Sequence, residues 1–216
     1  MTWQGNINRM QKYPDKLIIF AKAPVLGEVK TRLQPEFSVE QSLKLHKILV
    51  HNTLEKTKEL ENIEIELCCT PNRNSMFFLH CENNFPVRLT DQLGDELGER
   101  MAFACSQALQ TSSKVIIIGT DCPELDTSYI EQALQALDKH DAVIGPAADG
   151  GYVLLGLKQF CPGLFSDFSW GTNTVLKQTR DVLKNMGWSW HELETRHDLD
   201  RPEDLKRFTD LKNEIN

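Results

Sequence analysis

The sequence predicts a three-layer α/β/α domain built on a mostly parallel sheet. Three observations carry that prediction. Short apolar runs alternate with longer amphipathic stretches, the order expected when strands and crossover helices follow one another. Two of the runs, Leu17-Ile18-Ile19-Phe20 and Val115-Ile116-Ile117-Ile118, are continuously apolar, as in strands covered on both faces. The chain has 216 residues, 40% of them hydrophobic and 25% charged, enough to bury a core without disulfides or structural metal.

The elements follow in order. Residues 1–15 form an expected loose extension; the opening MTWQGNINRMQK lacks the apolar middle of a signal peptide. A single domain is expected over residues 16–216. After the first strand, Ser38 opens a capping box with Gln41, and Leu45, Ile48, Leu49 and Leu54 form one helical stripe. Ile63, Ile65 and Leu67 alternate with charge, as in a strand nearer an edge. A short helix is expected between Arg73 and Asn84, a strand at Val87 and Leu89, and a helix over Glu96–Leu109. Past the second buried strand, Asp126 or Thr127 caps a helix whose face is Ile130, Ala133, Leu134 and Leu137. Ala142–Ile144 and Val153–Leu155 read as strands. Thr172–Met186 reads as a helix stopped by Gly187, Trp188–Leu193 as a late strand and Pro202–Ile215 as a closing helix.

Composition excludes several classes. A formal charge of -7 and a pI near 5.4 argue against a nucleic-acid surface, which carries a basic patch or stripe. No segment is long and apolar enough to span a membrane. The six cysteines form no CxxC pair, and no histidine lies at finger-like spacing. Reduced, buried thiols in a cytoplasmic protein are therefore expected.

Against that acidic background, FAKAPVLGEVKTRL (Phe20–Leu33) gathers Lys22, Lys30 and Arg32 around Gly27, with Glu28 as the one opposing charge. It directly follows a buried strand. In such sheets ligands bind beyond the carboxyl ends of strands, where strand order reverses. Gly27 allows a turn, and the three cations suit phosphate oxygens. Pro24 and Val29 stand where a Walker A loop has glycine, so this is another kind of anion loop or a plain solvated one.

Asp121, in IIIGTDCPEL, follows the other buried strand. It is either a turn residue before Cys122-Pro123 or a carboxylate for Mg²⁺ or Mn²⁺. Cys122 has no recognisable base beside it and reads as a packing thiol. HDLDRPEDL crowds Asp198, Asp200, Glu203 and Asp204 together. Asp200 is a natural N-cap completed by Glu203, with Asp198 left to bind metal, or the two roles are exchanged. His197 reads as a satisfied polar residue. GPAADGGYVLLGL sets Asp149 before Gly150 and Gly151, which suits an acceptor or sugar pocket with Asp149 taking a proton, or a simple loop. GDELGERM places Gly98 near a helix start, where backbone can meet a base or ribose, or it is a plain helix entry with Glu99 and Arg100 exposed.

The order of these motifs, from about Lys16 to Leu211, resembles the bacterial glycosyltransferase-A-like family long described as a domain of unknown function, DUF2064. Its members are labelled nucleotide-diphospho-sugar transferases or radical-SAM-associated transferases. The resemblance implies a Rossmann-like sheet of the nucleotide-diphospho-sugar transferase type. It implies phosphate-holding roles for Lys22, Lys30 and Arg32, a metal ligand at Asp121 and a second at Asp200. The expected site adds Asp198 to the metal and Gly27, Gly98, Arg100, Gly150 and Gly151 to the nucleotide. Leu26 replaces the family's proline and Arg201 its threonine. The expected activity is metal-dependent glycosyl transfer from a nucleotide sugar to a small-molecule acceptor, with Asp149 activating the acceptor. The alternative is nucleotidylyl transfer from a nucleoside triphosphate to a sugar phosphate or phospho-acid with pyrophosphate release. A third class is a non-catalytic nucleotide sensor.

Overall fold

The computed structural model describes residues 14–34 and 36–215; the expected N-terminal extension falls almost wholly outside them. Among the described residues seven strands form one sheet: β1 Asp15–Lys22, β2 Ile63–Thr70, β3 Arg88–Asp91, β4 Val115–Ile118, β5 Ala142–Pro146, β6 Tyr152–Leu157 and β7 Trp190–Glu192. Their spatial order is β3-β2-β1-β4-β6-β5-β7. β6 runs against both its neighbours, while the other pairings are parallel. β1 hands the chain to β2 on one side and pairs with β4 on the other. The sheet therefore reverses direction between β1 and β4, and their carboxyl ends open a crevice there.

Six helices cover it: α1 Val39–Thr57, α2 Met76–Asn84, α3 Leu97–Ala108, α4 Thr127–Lys139, α5 Val175–Asn185 and α6 Thr209–Ile215. Alternation along the central strands explains the two cores. Leu17 and Ile19 of β1 join Ile116 and Ile118 of β4 under α1, α2 and α4. Ile18 joins Val115 and Ile117 under α3 and α5. Adjacent Cys68 and Cys69 of β2 divide between the same two cores. All six cysteines are free and buried. No helix among the described residues is long and apolar enough to cross a membrane.

The capping expectations hold at Ser38 with Gln41 and at Asp126, which accepts from Tyr129 N–H. Three expectations are corrected. α5 starts only at Val175, because the Thr172 hydroxyl bonds Ser169 O at 2.7 Å and accepts Thr174 N–H, holding a turn ahead of the helix. The closing helix is broken into a 3₁₀ stretch, Pro202–Lys206, and α6. Leu205 and Leu211 do not fall on one stripe of a continuous helix, and the break lets both pack with Leu45 and Leu49 of α1. The cap is also shifted by one residue. Arg201 stands at the N-cap, and Asp204, not Glu203, accepts the N–H groups of Asp200 (3.0 Å) and Arg201 (2.7 Å). This frees the Asp200 side chain.

Candidate functional site

The loop after β1 is fixed at both flanks of its central cation. Val29 and Leu33 are buried, and Gly27 turns the chain at φ 80°. Between the anchors Lys30 takes a left-handed conformation, φ 50°, which costs a non-glycine residue on the order of 1 kcal/mol or more. That backbone turns its side chain inward, leaving only 3% of it exposed.

Lys30 Nζ lies 2.7 Å from Asp121 Oδ1 and 2.5 Å from Leu199 O. Leu199 N–H in turn donates to Asp121 O at 2.8 Å. One residue of the closing segment thus ties the β1 loop to the β4 loop through its backbone. Its side chain is fully buried, so Asp198 and Asp200 on either side are held at the crevice. Arg32 pairs with Asp200. Lys22 donates to Glu28 O at 2.9 Å. His46 of α1 sits behind the loop with Nε2 2.8 Å from Lys22 O; a carbonyl only accepts, so Nε2 carries the hydrogen. Burial lowers the His46 pKa.

The carboxylates differ. Burial pushes the Asp121 carboxyl up, but the charge and hydrogen bond of Lys30, helped by His46, hold it below the usual range. Its side chain keeps 52% of its surface open on the floor of a concave crevice, so it is ringed by protein while facing the ligand space. Asp198 is pushed up to about 7, first by burial and then by Asp121, Asp149 and Asp200. The Asp149 carboxylate accepts Gly151 N–H at 2.9 Å. Arg100 donates to Gly94 O (2.9 Å) and Asp95 O (3.0 Å).

These residues line two connected chambers. The first, of about 360 Å³, has Lys22, Lys30, Arg32, Arg100, His46 and Gln92 in its walls. The second, of about 410 Å³, has Asp149, Gly151, Asp198, Tyr152, Trp170 and Met101. Phe20, Arg32, Leu97, Gly119, Asp121 and Asp200 belong to both.

The structure therefore brings together Lys22, Lys30, Arg32, Arg100, Asp121, Asp149, Gly151, Asp198 and Asp200. Three glycines act at one remove. Gly27 shapes the loop. A Cβ on Gly98 would lie 2.3 Å from Phe165 O and 2.4 Å from Trp170 Nε1, and one on Gly150 would lie 2.4 Å from Asn173 O. His197 is satisfied by Glu124, whose Oε2 accepts its N–H at 2.9 Å. The Cys122 thiol is buried and pushed up to about 12, chiefly by burial, so it is no nucleophile. Sequence reasoning missed Leu199, His46, Tyr152 and Trp170. Only Tyr152 and Leu199 gave any signal, by falling inside motifs.

With this geometry in place, the profile of the family described as "uncharacterized protein conserved in bacteria (DUF2064)" matches residues 53–172, more than half of the chain. The chain belongs to the DUF2064 family. No curated protein matches the sequence. Among solved structures, this DUF2064 chain is similar to a candidate nucleotide-diphospho-sugar transferase from Desulfovibrio desulfuricans G20. The two share 24% identity and a TM-score of 0.79, over 93% of this chain and 97% of that one. It is also similar to 4-diphosphocytidyl-2C-methyl-D-erythritol synthase from Anaerococcus prevotii DSM 20548, at 13% identity and TM-score 0.61 over 94% and 96%. A Mycobacterium tuberculosis H37Rv protein crystallised with manganese aligns at 12% identity and TM-score 0.51 over 92% and 99%. At these identities the likeness is one of fold. The DUF2064 chain has the α/β architecture of nucleotide-diphospho-sugar transferases and nucleotidyltransferases.

Proposed function

We propose that this protein is a transferase that binds a nucleotide-diphospho-sugar across the two chambers and moves the glycosyl group to a small-molecule acceptor. The observation that carries this reading is the Lys30–Asp121 pair at the point where strand order reverses. A cation suited to a diphosphate and a carboxylate suited to its counter-ion are delivered to one spot by two strand ends. The candidate nucleotide-diphospho-sugar transferase of the same fold supports it.

Lys22, Lys30, Arg32 and Arg100 would hold the phosphates. Each can be worth roughly a hundredfold in rate when aimed at charge that builds on the leaving nucleotide. Gly151 offers bare backbone beside the sugar, while Gly27, Gly98 and Gly150 let the surrounding loops close up. Asp149 would accept the acceptor hydroxyl proton. The acceptor oxygen then bonds to the anomeric carbon as the carbon–oxygen bond to the diphosphate breaks, and that electron pair leaves with the nucleoside diphosphate.

Asp121, Asp198 and Asp200 fit a hard divalent cation. Their donors are carboxylate oxygens, and Asp198 is an acid whose burial and neighbouring acids outweigh the opposing charge of Lys30. Mg²⁺ or Mn²⁺ held by these residues would supply charge neutralisation to a bound diphosphate. Among the described residues no group of three or more His, Cys, Asp or Glu side chains stands ready to hold a metal ion; a cation held by one or two carboxylates takes its other ligands from water and substrate phosphates.

A thermal-shift panel of nucleoside di- and triphosphates and nucleotide sugars, with and without Mn²⁺, tests the reading. A ligand at a hundred times its Kd adds about 2.7 kcal/mol, a rise on the order of 5–10 °C. The expected result is a metal-dependent shift for one nucleotide family that Asp121→Asn abolishes, with turnover lost alongside. No shift for any nucleotide overturns it. The second reading, nucleotidylyl transfer, is favoured by likeness to a synthetase solved with CTP, at 9% identity and TM-score 0.58. Pyrophosphate release from a nucleoside triphosphate and a sugar phosphate would select it.

A further inference from the structure

We infer that the second chamber selects an acceptor carrying a hydroxyl on an apolar or aromatic body and bearing no phosphate or carboxylate. This rests on the glycosyl-transfer reading and adds the acceptor's chemical class to it. At about 410 Å³ the chamber is the size of a small-molecule site. Its charged lining is one-sided: of its four acids Asp121 is paired with Lys30 and Asp200 with Arg32, which leaves Asp149 and Asp198 facing the chamber with Arg32, its one lining cation, already engaged. Lys22, Lys30 and Arg100 line the other chamber and not this one.

An incoming phosphate or carboxylate would thus meet like charge with no free cation to receive it. The rest of the wall is apolar. Trp170 stands edge-on to Tyr152, with centroids 6.4 Å apart and an angle of 86°, and tilts against Phe168 at 5.3 Å. Both contacts fix its ring, and Trp170 lines the chamber, where an indole can stack on a sugar or aromatic face. Asp149, oriented by Gly151 N–H, supplies the hydroxyl acceptor beside that platform.

Two probes sharing one body test this: phenyl β-D-glucoside and its 6-phosphate, followed by ligand-observed NMR on the full chain without nucleotide. The expected result is preference for the neutral probe by at least about tenfold, since like charges placed together cost several kcal/mol. Trp170→Ala should abolish binding and Trp170→Phe retain it. Asp149→Asn combined with Asp198→Asn should narrow the preference. Equal or tighter binding of the phosphate, binding indifferent to Trp170→Ala, or no binding of either probe at millimolar concentration overturns the inference. The thermal-shift panel reports separately. If nucleotides bind but the phosphate probe wins, the inference fails alone. If no nucleotide binds while the neutral probe binds through Trp170, the glycosyl-transfer reading fails and the chamber chemistry stands.

Discussion

Lys30 Nζ lies 2.7 Å from Asp121 Oδ1, joining the cation of the β1 loop to the carboxylate of the β4 loop. Each neutralises the other. Under the proposed function these are the two groups that a diphosphate and its cation would engage, so the pair is the place to test it.

Lys30→Met removes the cation and keeps the stem. Asp121 then retains its burial cost without the charge that offset it, and its pKa rises. In the wild type that pKa is lowered, so the pair's stability is present above the unfolded carboxylate value and lost as pH falls through the lower folded value. The variant should therefore be destabilised more at pH 7 than at pH 4, as measured by urea unfolding. Nucleotide affinity should drop on the order of tenfold or more, since hydrogen bonds to charged groups are worth roughly 1.5–3 kcal/mol.

Asp198 has the opposite sign. Its folded pKa of about 7 lies above the unfolded value near 3.9, so the folded state binds the proton more tightly. Stability is full below the unfolded value and falls as pH rises through about 7. Asp198→Asn should equal the wild type near pH 4 and exceed it at pH 8 in melting temperature. A variant no more stable than the wild type at pH 8 would sink this assignment.

Arg32→Gln separates stability from binding. The Arg32–Asp200 pair is largely exposed, 59% and 37% by side chain, and such pairs contribute about 0–1 kcal/mol. Unfolding should hardly change, while the thermal shift given by nucleotide should shrink.

Gly98→Ala tests the reason for a helical glycine. In a free helix the change stabilises by about 1 kcal/mol. Here the new methyl meets Phe165 O and Trp170 Nε1, and overpacking costs about 1–3 kcal/mol. Net destabilisation in urea, with weaker binding of the neutral glucoside, is the expected pair of results.

The strands and most caps were legible because their signals are local. A four-residue apolar run or a Ser-x-x-Gln box is written in consecutive residues. The side chains gathered at the strand ends followed from the same logic, since a motif placed directly after a buried strand must face the crevice. What stayed hidden depends on distance or on backbone. Lys30 and Asp121 meet only through strand order. Leu199 works through its N–H and C=O, which every residue type has. Trp170 carried no signal, because an apolar crevice wall and a core have the same periodicity, and Tyr152 stood in a motif with nothing to set it apart. The Asp200 cap was misread by one residue, since Asp204 can reach the same N–H groups from inside the turn.

Leu199 also sets a time at which the protein becomes competent. The Lys30 ammonium rests on a carbonyl 169 residues further along the chain. Synthesis runs from the N-terminus, so β1 through β6 emerge from the ribosome before that carbonyl exists. A nascent chain carries its basic loop early but cannot seat it until the last segment docks. Loss of the segment that carries Leu199 would leave a chain with most of its sheet and no carbonyl on which to seat Lys30.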